Sequence, residues 1–198
     1  MKPAVFLDRD GVINRALVRD GRPYSPETLD AFEILPGVPG AVSGLKQAGF
    51  LAIVVTNQPD VGAGKQDRGV VEAMHEDLRA RVAVDDIYAC FHTDGDDCNC
   101  RKPKPGLIEA AAADWDVDIS RSFMVGDRWR DVGAGKAAGC ATVLIDYGYT
   151  EPLTYEPDAK VASLPEAASW ILGQASAQAQ TQTPDQAVAL SAAEDKSR

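Results

Sequence analysis

Four short apolar runs, each ending beside a residue with chemistry to offer, constrain what this chain can fold into. They are AVFL before Asp8, LAIVVTN at 51–57, FMVGD at 123–127 and ATVLID at 141–146. A weaker run, IYACF, leads into a cysteine cluster. Unbroken apolar runs of this length read as strands buried on both faces, as in a parallel sheet. Helical patterns lie between them. PGVPGAVSGLKQAG ends in Gly49, a residue suited to a C-cap. DRGVVEAMHEDLRARVA spaces Val70, Val71, Met74 and Leu78 at helical intervals. PGLIEAAAADW starts with Pro105, which suits a first turn, and RDVGAGKAAG is short and ends in Gly139. Strand and helix in alternation predict an α/β, three-layer sandwich with a central parallel sheet, Rossmann-like, and helices on both faces. Such sheets bind ligands at the carboxyl ends of their strands. Asp8, Thr56, Cys90 and Asp127 all fall at such ends.

The 198 residues suffice for one domain, read as 1–173. From Gln174 onward the chain is Ala, Gln, Thr and Ser with few large apolar residues, so 174–198 reads as a disordered tail. The formal net charge of −10 argues against nucleic acid or an anionic membrane as partner. It still permits a phosphorylated substrate held by a local basic site. No apolar run approaches the ~20 residues a bilayer span needs, and the opening MKPAVFLDRDG meets charge too soon for a signal peptide. A cytoplasmic monomer with reduced thiols is the expectation, and clustered cysteines then favour a metal over disulfides.

FLDRDGVIN sets Asp8 and Asp10 two apart directly after a strand, where alternate residues share a face. Crowded carboxylates repel, and a hard divalent cation such as Mg²⁺ relieves them. A carboxylate can also act as a nucleophile towards phosphorus, and a second can serve as acid and then base. Thr56, at the end of its strand, offers a hydroxyl to a phosphate oxygen. CRKPKPG offers Arg101, Lys102 and Lys104, the residue types that clamp phosphate. VGDRWRDV adds Asp127 and Asp131, the latter suited to orient the lysine or to cap a helix. C-x-H-x5-C-x-C supplies Cys90, His92, Cys98 and Cys100, a set that suits closed tetrahedral Zn²⁺. GAGK at 62–65 fails the P-loop spacing. His75, a lone helical histidine, reads as a surface or packing residue, and Cys140 as a small buried hydrophobe.

DxDG, a strand-end Thr, a Lys and GD(x)3D, in that order over Pro3 to Tyr147, resemble the four signatures of the haloacid dehalogenase (HAD) superfamily of phosphatases. The resemblance implies a HAD-type sheet without a large cap domain, since no stretch is long enough for one. It implies Asp8 as nucleophile and Asp10 as acid/base. Thr56 and Lys102 would stabilise the transferring phosphoryl group. Mg²⁺ would be held by Asp8, Asp127 and the backbone carbonyl of Asp10, with Asn57 and Gln58 at the substrate. The cysteine insertion, a zinc loop over 90–100, is similar to that of the heptose 1,7-bisphosphate phosphatases and the histidinol-phosphate phosphatases. DRDGVIN, with Asn14, and CRKPKPGL look more like the heptose enzymes. That likeness implies a small phosphorylated sugar as partner, Arg101 recognising it, and Arg128 beside the metal-binding Asp127. The expected reaction is removal of the C7 phosphate through an aspartyl-phosphate, with histidinol phosphate as the alternative substrate. A non-catalytic zinc module is the reading from another class, and the complete catalytic set speaks against it. One departure stands out. Where the heptose enzymes usually carry Arg-Gly-Lys, this chain has Ala63, Gly64 and Lys65. The second phosphate is therefore expected at Lys65, Arg19 or Arg22.

Overall fold

The computed structural model describes residues 1–181. In chain order the elements are β1 (Ala4–Leu7), β2 (Leu17–Arg19), β3 (Arg22–Tyr24), α1 (Val38–Gln47), β4 (Leu51–Asn57) and α2 (Pro59–Gly62). There follow α3 (Arg68–Arg81), β5 (Asp86–Cys90), α4 (Gly106–Trp115), β6 (Phe123–Gly126), α5 (Trp129–Ala138), β7 (Ala141–Ile145), β8 (Ala159–Val161) and α6 (Leu164–Thr181). Strands β5-β4-β1-β6-β7-β8 form one six-stranded sheet. Every pairing in it is parallel.

The apolar runs become the sheet for the reason their composition implies. All four residues of β1 and of β6 are buried, and so are the first six of β4. Alternate side chains then enter two cores. Val5, Leu7, Val54, Val125 and Val143 meet α1, α3 and α6 on one face. Phe6, Ile53, Val55 and Met124 meet α4 and α5 on the other. The α3 stripe is Val71, Met74, His75 and Leu78, so the helical histidine lies inside the stripe. Parallel register brings Leu7 beside Val54 and Val125, and this aligns the ends of β1, β4 and β6.

Three features depart from expectation. The segment after Asn14 is an antiparallel hairpin, β2–β3, in place of a plain loop. A short edge strand, β8, extends the sheet past β7. The helix α6 continues to Thr181, so residues 174–181 are helical and the tail expected from 174 does not begin there. Alanine and glutamine are strong helix formers, and the docked turns Leu164–Ile171 supply the nucleus that an isolated segment lacks. The rest of that tail, 182–198, lies outside the described residues. No helix among the described residues is long and apolar enough to cross a membrane.

Ile171, fully buried at the α6–sheet interface, is the anchor of that docking. Ile171→Ala is expected to cost about 2–5 kcal/mol. A shift in the urea-unfolding midpoint measures it, and an unchanged midpoint would contradict the docked helix.

Candidate active site

The ends of β1, β4 and β6 deliver Asp8, Thr56 and Asp127 to one edge of the sheet, and each is buried. Lys102 enters from the loop after β5 and places its ammonium among them. Its Nζ lies 2.8 Å from Asp8 Oδ1 and 2.6 Å from Asp131 Oδ1, and donates to the Val55 carbonyl at 2.8 Å. All the donors of a Lys are thereby engaged. Burial alone would lower the lysine pKa, but Asp131 and Asp8 outweigh it and raise it. Burial pushes the Asp8 carboxyl up to about 6, against the pull of Lys102 and with the help of the Asp131 charge. Burial raises Asp127 well above the usual carboxylate range, with the Asp8 and Asp131 charges adding to it. Asp131 performs both roles expected of it. Besides holding Lys102, its Oδ2 accepts from the Arg128 backbone N–H at 3.0 Å, at the start of α5.

Asp10 has a different environment. Arg9, fully buried, donates to both of its carboxylate oxygens at 2.9 Å. Ser25 Oγ (2.7 Å), Gln58 Nε2 (2.8 Å) and Asn14 Nδ2 (2.9 Å) donate as well. Burial would raise this carboxyl, yet the Arg9 charge and these hydrogen bonds hold it below its ordinary value. Arg9 in turn meets His75 Nε2 at 3.2 Å. Burial and the Arg9 charge lower the imidazole to about 4, so His75 is neutral and accepts from the guanidinium. Two carboxylates two residues apart are thus set to opposite tendencies, Asp8 towards its protonated form when no cation is bound and Asp10 towards its ionised form.

Two metal-type donor clusters are present. Asp8, Asp127 and Asp131 offer carboxylate oxygens within 4.8 Å of one another. Asp127 Oδ1 is buried and accepts no hydrogen bond from the protein, while Oδ2 accepts from Tyr149 Oη at 3.0 Å. Burial and the Asp127 charge raise the Tyr149 phenol, which keeps it a donor. Gly11, at φ +88°, passes so close that any Cβ there would collide with the Asp127 carboxylate. An oxygen-only set with one unsatisfied buried oxygen fits a hard divalent cation. The Asp10 side chain is outside this cluster, which leaves its backbone carbonyl as what it could offer. The second cluster is Cys90, His92, Cys98 and Cys100, with all three cysteines free thiols. Cys90 Sγ lies 3.9 Å from Cys98 Sγ and 3.6 Å from His92 Nδ1. Tetrahedral Zn²⁺ with bonds of about 2.0–2.3 Å sets ligand atoms roughly 3.5–3.8 Å apart. Cys100 Sγ lies closer than that, 3.1 Å from Cys90 Sγ and 3.2 Å from His92 Nδ1. The donor types and their convergence thus fit a closed zinc site with Cys100 slightly inside its ligand position.

A cavity of about 60 Å³ opens over Asp8, Asp10 and Lys102, walled by Tyr24 and Ser25 of the hairpin, Asn57 and Arg128. The hairpin therefore forms part of the cover, alongside the cysteine loop. The expected substrate contacts also have partners within the protein. Gln58 is buried and bonded to Thr56 Oγ1 (3.0 Å) and Asp10, so it orients those two groups. Asn57 lines the cavity but exchanges two 3.1 Å bonds with the Lys102 backbone, bracketing the lysine loop. Arg101 lies further out, with Nε 2.7 Å from Asp94. Arg128 lines the cavity and is paired through two nitrogens with Glu151. Arg19 is exposed on the hairpin and paired with Glu27 at 2.7 Å, and Lys65 is exposed past α2. Neither lines this cavity or the larger one outside it, where a second phosphate would lie. Arg9, Ser25 and Tyr149 are absent from the sequence reading, and His75 enters it only as a surface or packing residue. An arginine between two motif aspartates, straight after a buried strand, was a usable signal, whereas Ser25 and Tyr149 reach the site only through folding.

A family described as HAD-hydrolase-like matches residues 99–167. The D-glycero-β-D-manno-heptose-1,7-bisphosphate 7-phosphatase of Pseudomonas aeruginosa is 40% identical over 149 residues, covering 73% of this chain and 81% of that protein. The enzyme of that name from Escherichia coli K12 is 39% identical over 183 residues, 86% of this chain and 88% of its own length. Among solved structures, the D,D-heptose 1,7-bisphosphate phosphatase from B. bronchiseptica, complexed with magnesium and phosphate, superposes with a TM-score of 0.74. It is 31% identical and covers 87% of this chain and 99% of its own.

Lys102→Met removes the charge that offsets Asp8 and Asp131. Stranding buried charge in this way costs about 3–5 kcal/mol. Asp8 is already raised to about 6 with Lys102 present, and loss of the lysine raises it further, so the folded variant binds more protons than the unfolded chain and its stability falls as pH rises through about 6 and beyond. Urea midpoints are expected to show a larger deficit near about pH 8 than near about pH 5. An equal deficit at both would contradict the charge balance described.

Proposed function

The chain belongs to the HAD-like family of heptose-bisphosphate phosphatases, and from that premise we propose that it hydrolyses the C7 phosphate of D-glycero-D-manno-heptose 1,7-bisphosphate. The observation that carries this reading is Asp8, at a strand end on the floor of an open pocket, with the Lys102 ammonium 2.8 Å away. Phosphoryl transfer asks mainly for in-line placement and neutralisation of equatorial charge.

The Asp8 carboxylate attacks phosphorus, the bond from phosphorus to the sugar oxygen breaks, and Asp10 protonates that oxygen. Asp10, ionised in its cage of donors, then takes a proton from water as the water attacks the aspartyl-phosphate and frees inorganic phosphate. That proton is the one returned to the leaving oxygen of the next turnover. Lys102, which lines the pocket, and Thr56, buried at the end of β4, are assigned to the transferring oxygens. Mg²⁺, held by Asp8, Asp127 and the Asp10 backbone carbonyl, would supply further neutralisation of the phosphoryl charge. Tyr149 and Gly11 fix the carboxylate of Asp127 for it. Arg101 and Arg128 are assigned to recognition of the sugar phosphate. All of these residues come from one chain, so a monomer supplies the whole site.

Zn²⁺ at Cys90, His92, Cys98 and Cys100 would have all four positions filled by protein, which leaves no place for water or substrate. Its role in this reading is structural. The loop it closes has little apolar surface, and its last ligand adjoins Arg101 and Lys102, so ordering the loop aims both side chains.

Asp8→Asn is expected to abolish phosphate release while the circular-dichroism spectrum stays native. Release at the wild-type rate would remove Asp8 from the nucleophile role. The substrate is checked by comparing kcat/KM for both anomers of heptose bisphosphate with that for histidinol phosphate. A tenfold preference for histidinol phosphate would overturn the sugar assignment. Cys98→Ala is expected to lower zinc content and weaken substrate handling while Mg²⁺ still binds the aspartates by calorimetry. Normal turnover by zinc-free variant would exclude the positioning role.

A further inference from the structure

A bisphosphate carries a second dianion that never meets Asp8. The loop position where an arginine is usual in enzymes of this kind is Ala63 here, exposed at the end of α2. Outside the small pocket over Asp8 lies a second cavity of about 240 Å³. The two share Tyr24, Ser25, Asn57, Arg128 and Arg130, and the outer one adds Arg22 and Arg101. One continuous cleft therefore runs from the nucleophile to a cluster of guanidinium groups.

Those guanidiniums are unequally committed. Arg128 is paired through two nitrogens with Glu151, which lines the same cavity. Arg101 and Arg130 divide a single carboxylate oxygen, Asp94 Oδ1, at 2.7 and 3.2 Å. Asp94 is 67% exposed, whereas Arg101 and Arg130 are only 13% and 24% exposed. Arg22, on β3, makes no ion pair among the described residues. Around the outer cavity four guanidiniums, Arg22, Arg101, Arg128 and Arg130, stand against three carboxylates, Asp60, Glu151 and the paired Asp94, whereas in the inner pocket three carboxylates, Asp8, Asp10 and Asp131, stand against Lys102. The chain as a whole carries −10. A local positive excess in an acidic protein is a binding signal for an anion. One carboxylate oxygen cannot satisfy two guanidinium forks, and a phosphate dianion can accept from both. Asp94, being exposed, returns to water at little cost when a phosphate takes its place.

We propose that Arg130 and Arg22, together with Arg101, form the subsite for the substrate's second phosphate, in place of the arginine absent at position 63. Arg130 comes from the first turn of α5, where its guanidinium carbon lies 4.9 Å from the Trp129 ring centroid. Arg22 comes from the hairpin. A phosphate between them ties the hairpin to the sheet edge and extends the sugar along the cleft from Asp8. Arg130 and Arg22 are thus specificity residues, since neither touches the reacting phosphorus. The assignment rests on the bisphosphate reading above.

The test compares kcat/KM for heptose 1,7-bisphosphate with that for heptose 7-phosphate, an ester that lacks the second phosphate. Wild type is expected to prefer the bisphosphate. In Arg130→Ala and in Arg22→Ala that preference is expected to fall about ten- to a hundredfold, the worth of a charge-assisted contact. Arg130→Lys is expected to keep part of it, as a point charge without the fork. The loss is expected mainly in KM for the bisphosphate. A wild-type preference that survives unchanged in both alanine variants would overturn the subsite and leave the bisphosphate reading standing. Wild type that does not distinguish the two esters would overturn that reading, and the subsite with it. Equal losses on both esters would also overturn the subsite, by placing these arginines at the phosphate they have in common.

Discussion

Asp8, Asp127 and Asp131 converge on one edge of the sheet, and the ammonium of Lys102 offsets the repulsion this creates. The ion pairs at 2.8 and 2.6 Å are nearly fully buried, so solvent does little to screen them. Burying charge is costly unless it is paired and hydrogen-bonded. Here each of the lysine's donors finds an acceptor, one of them the carbonyl of Val55 in the middle of the core sheet. Much else in the site serves this arrangement. Asn57 brackets the lysine backbone, Asp131 ties the lysine to the start of α5, and Gly11 lets the loop after β1 close over Asp127.

The charge balance also separates the two motif aspartates. Asp8 sits among like charges and is pushed up to about 6, while Asp10 is held down by a buried arginine and three further donors. A cation at Asp8 and Asp127 would complete the balance that Lys102 begins, and the unsatisfied Asp127 oxygen marks where such a cation is wanted. The cysteine cluster is a separate device. Its donors face one another instead of the pocket, and its effect on the chemistry runs through Arg101 and Lys102, which follow it in the chain.

Much of this was legible in the linear chain because the controlling patterns are local. Unbroken apolar runs of four to seven residues locate β1, β4, β6 and β7, since a strand buried on both faces has no polar face to show. Gly49 and Gly139 sit at positive φ just past α1 and α5, where left-handed backbone ends a helix. The ligand spacing of the cysteine loop survived folding intact. The rest was not legible where a residue's fate depends on a distant partner. His75, read as a surface or packing residue, is a packing residue whose partner, the buried Arg9, lies 66 positions away. Gln58 and Asn57, expected at the substrate, have amides bonded to Thr56, Asp10 and Lys102, while Asn57 also lines the pocket. Residues 174–181 looked too polar to order alone, yet they extend a helix whose earlier turns are docked.

The sequence by itself determined the alternation of strand and helix, the identity of the acidic and thiolate ligands, and their order along the chain. Periodicity, turn chemistry and ligand type act over a few residues, so they are written in the linear text. Only the tertiary structure decided which arginines share the cleft, which carboxylate is raised and which is lowered, and which polar side chains face one another. Those outcomes depend on burial and on charges brought within about 4 Å from far along the chain. Arg22 and Arg130, 108 positions apart, line one cavity, while Lys65, in the expected loop, is exposed and lies off the cleft. Parallel strand register and the folding of the hairpin over the sheet edge set those distances, and neither is encoded in any single short stretch.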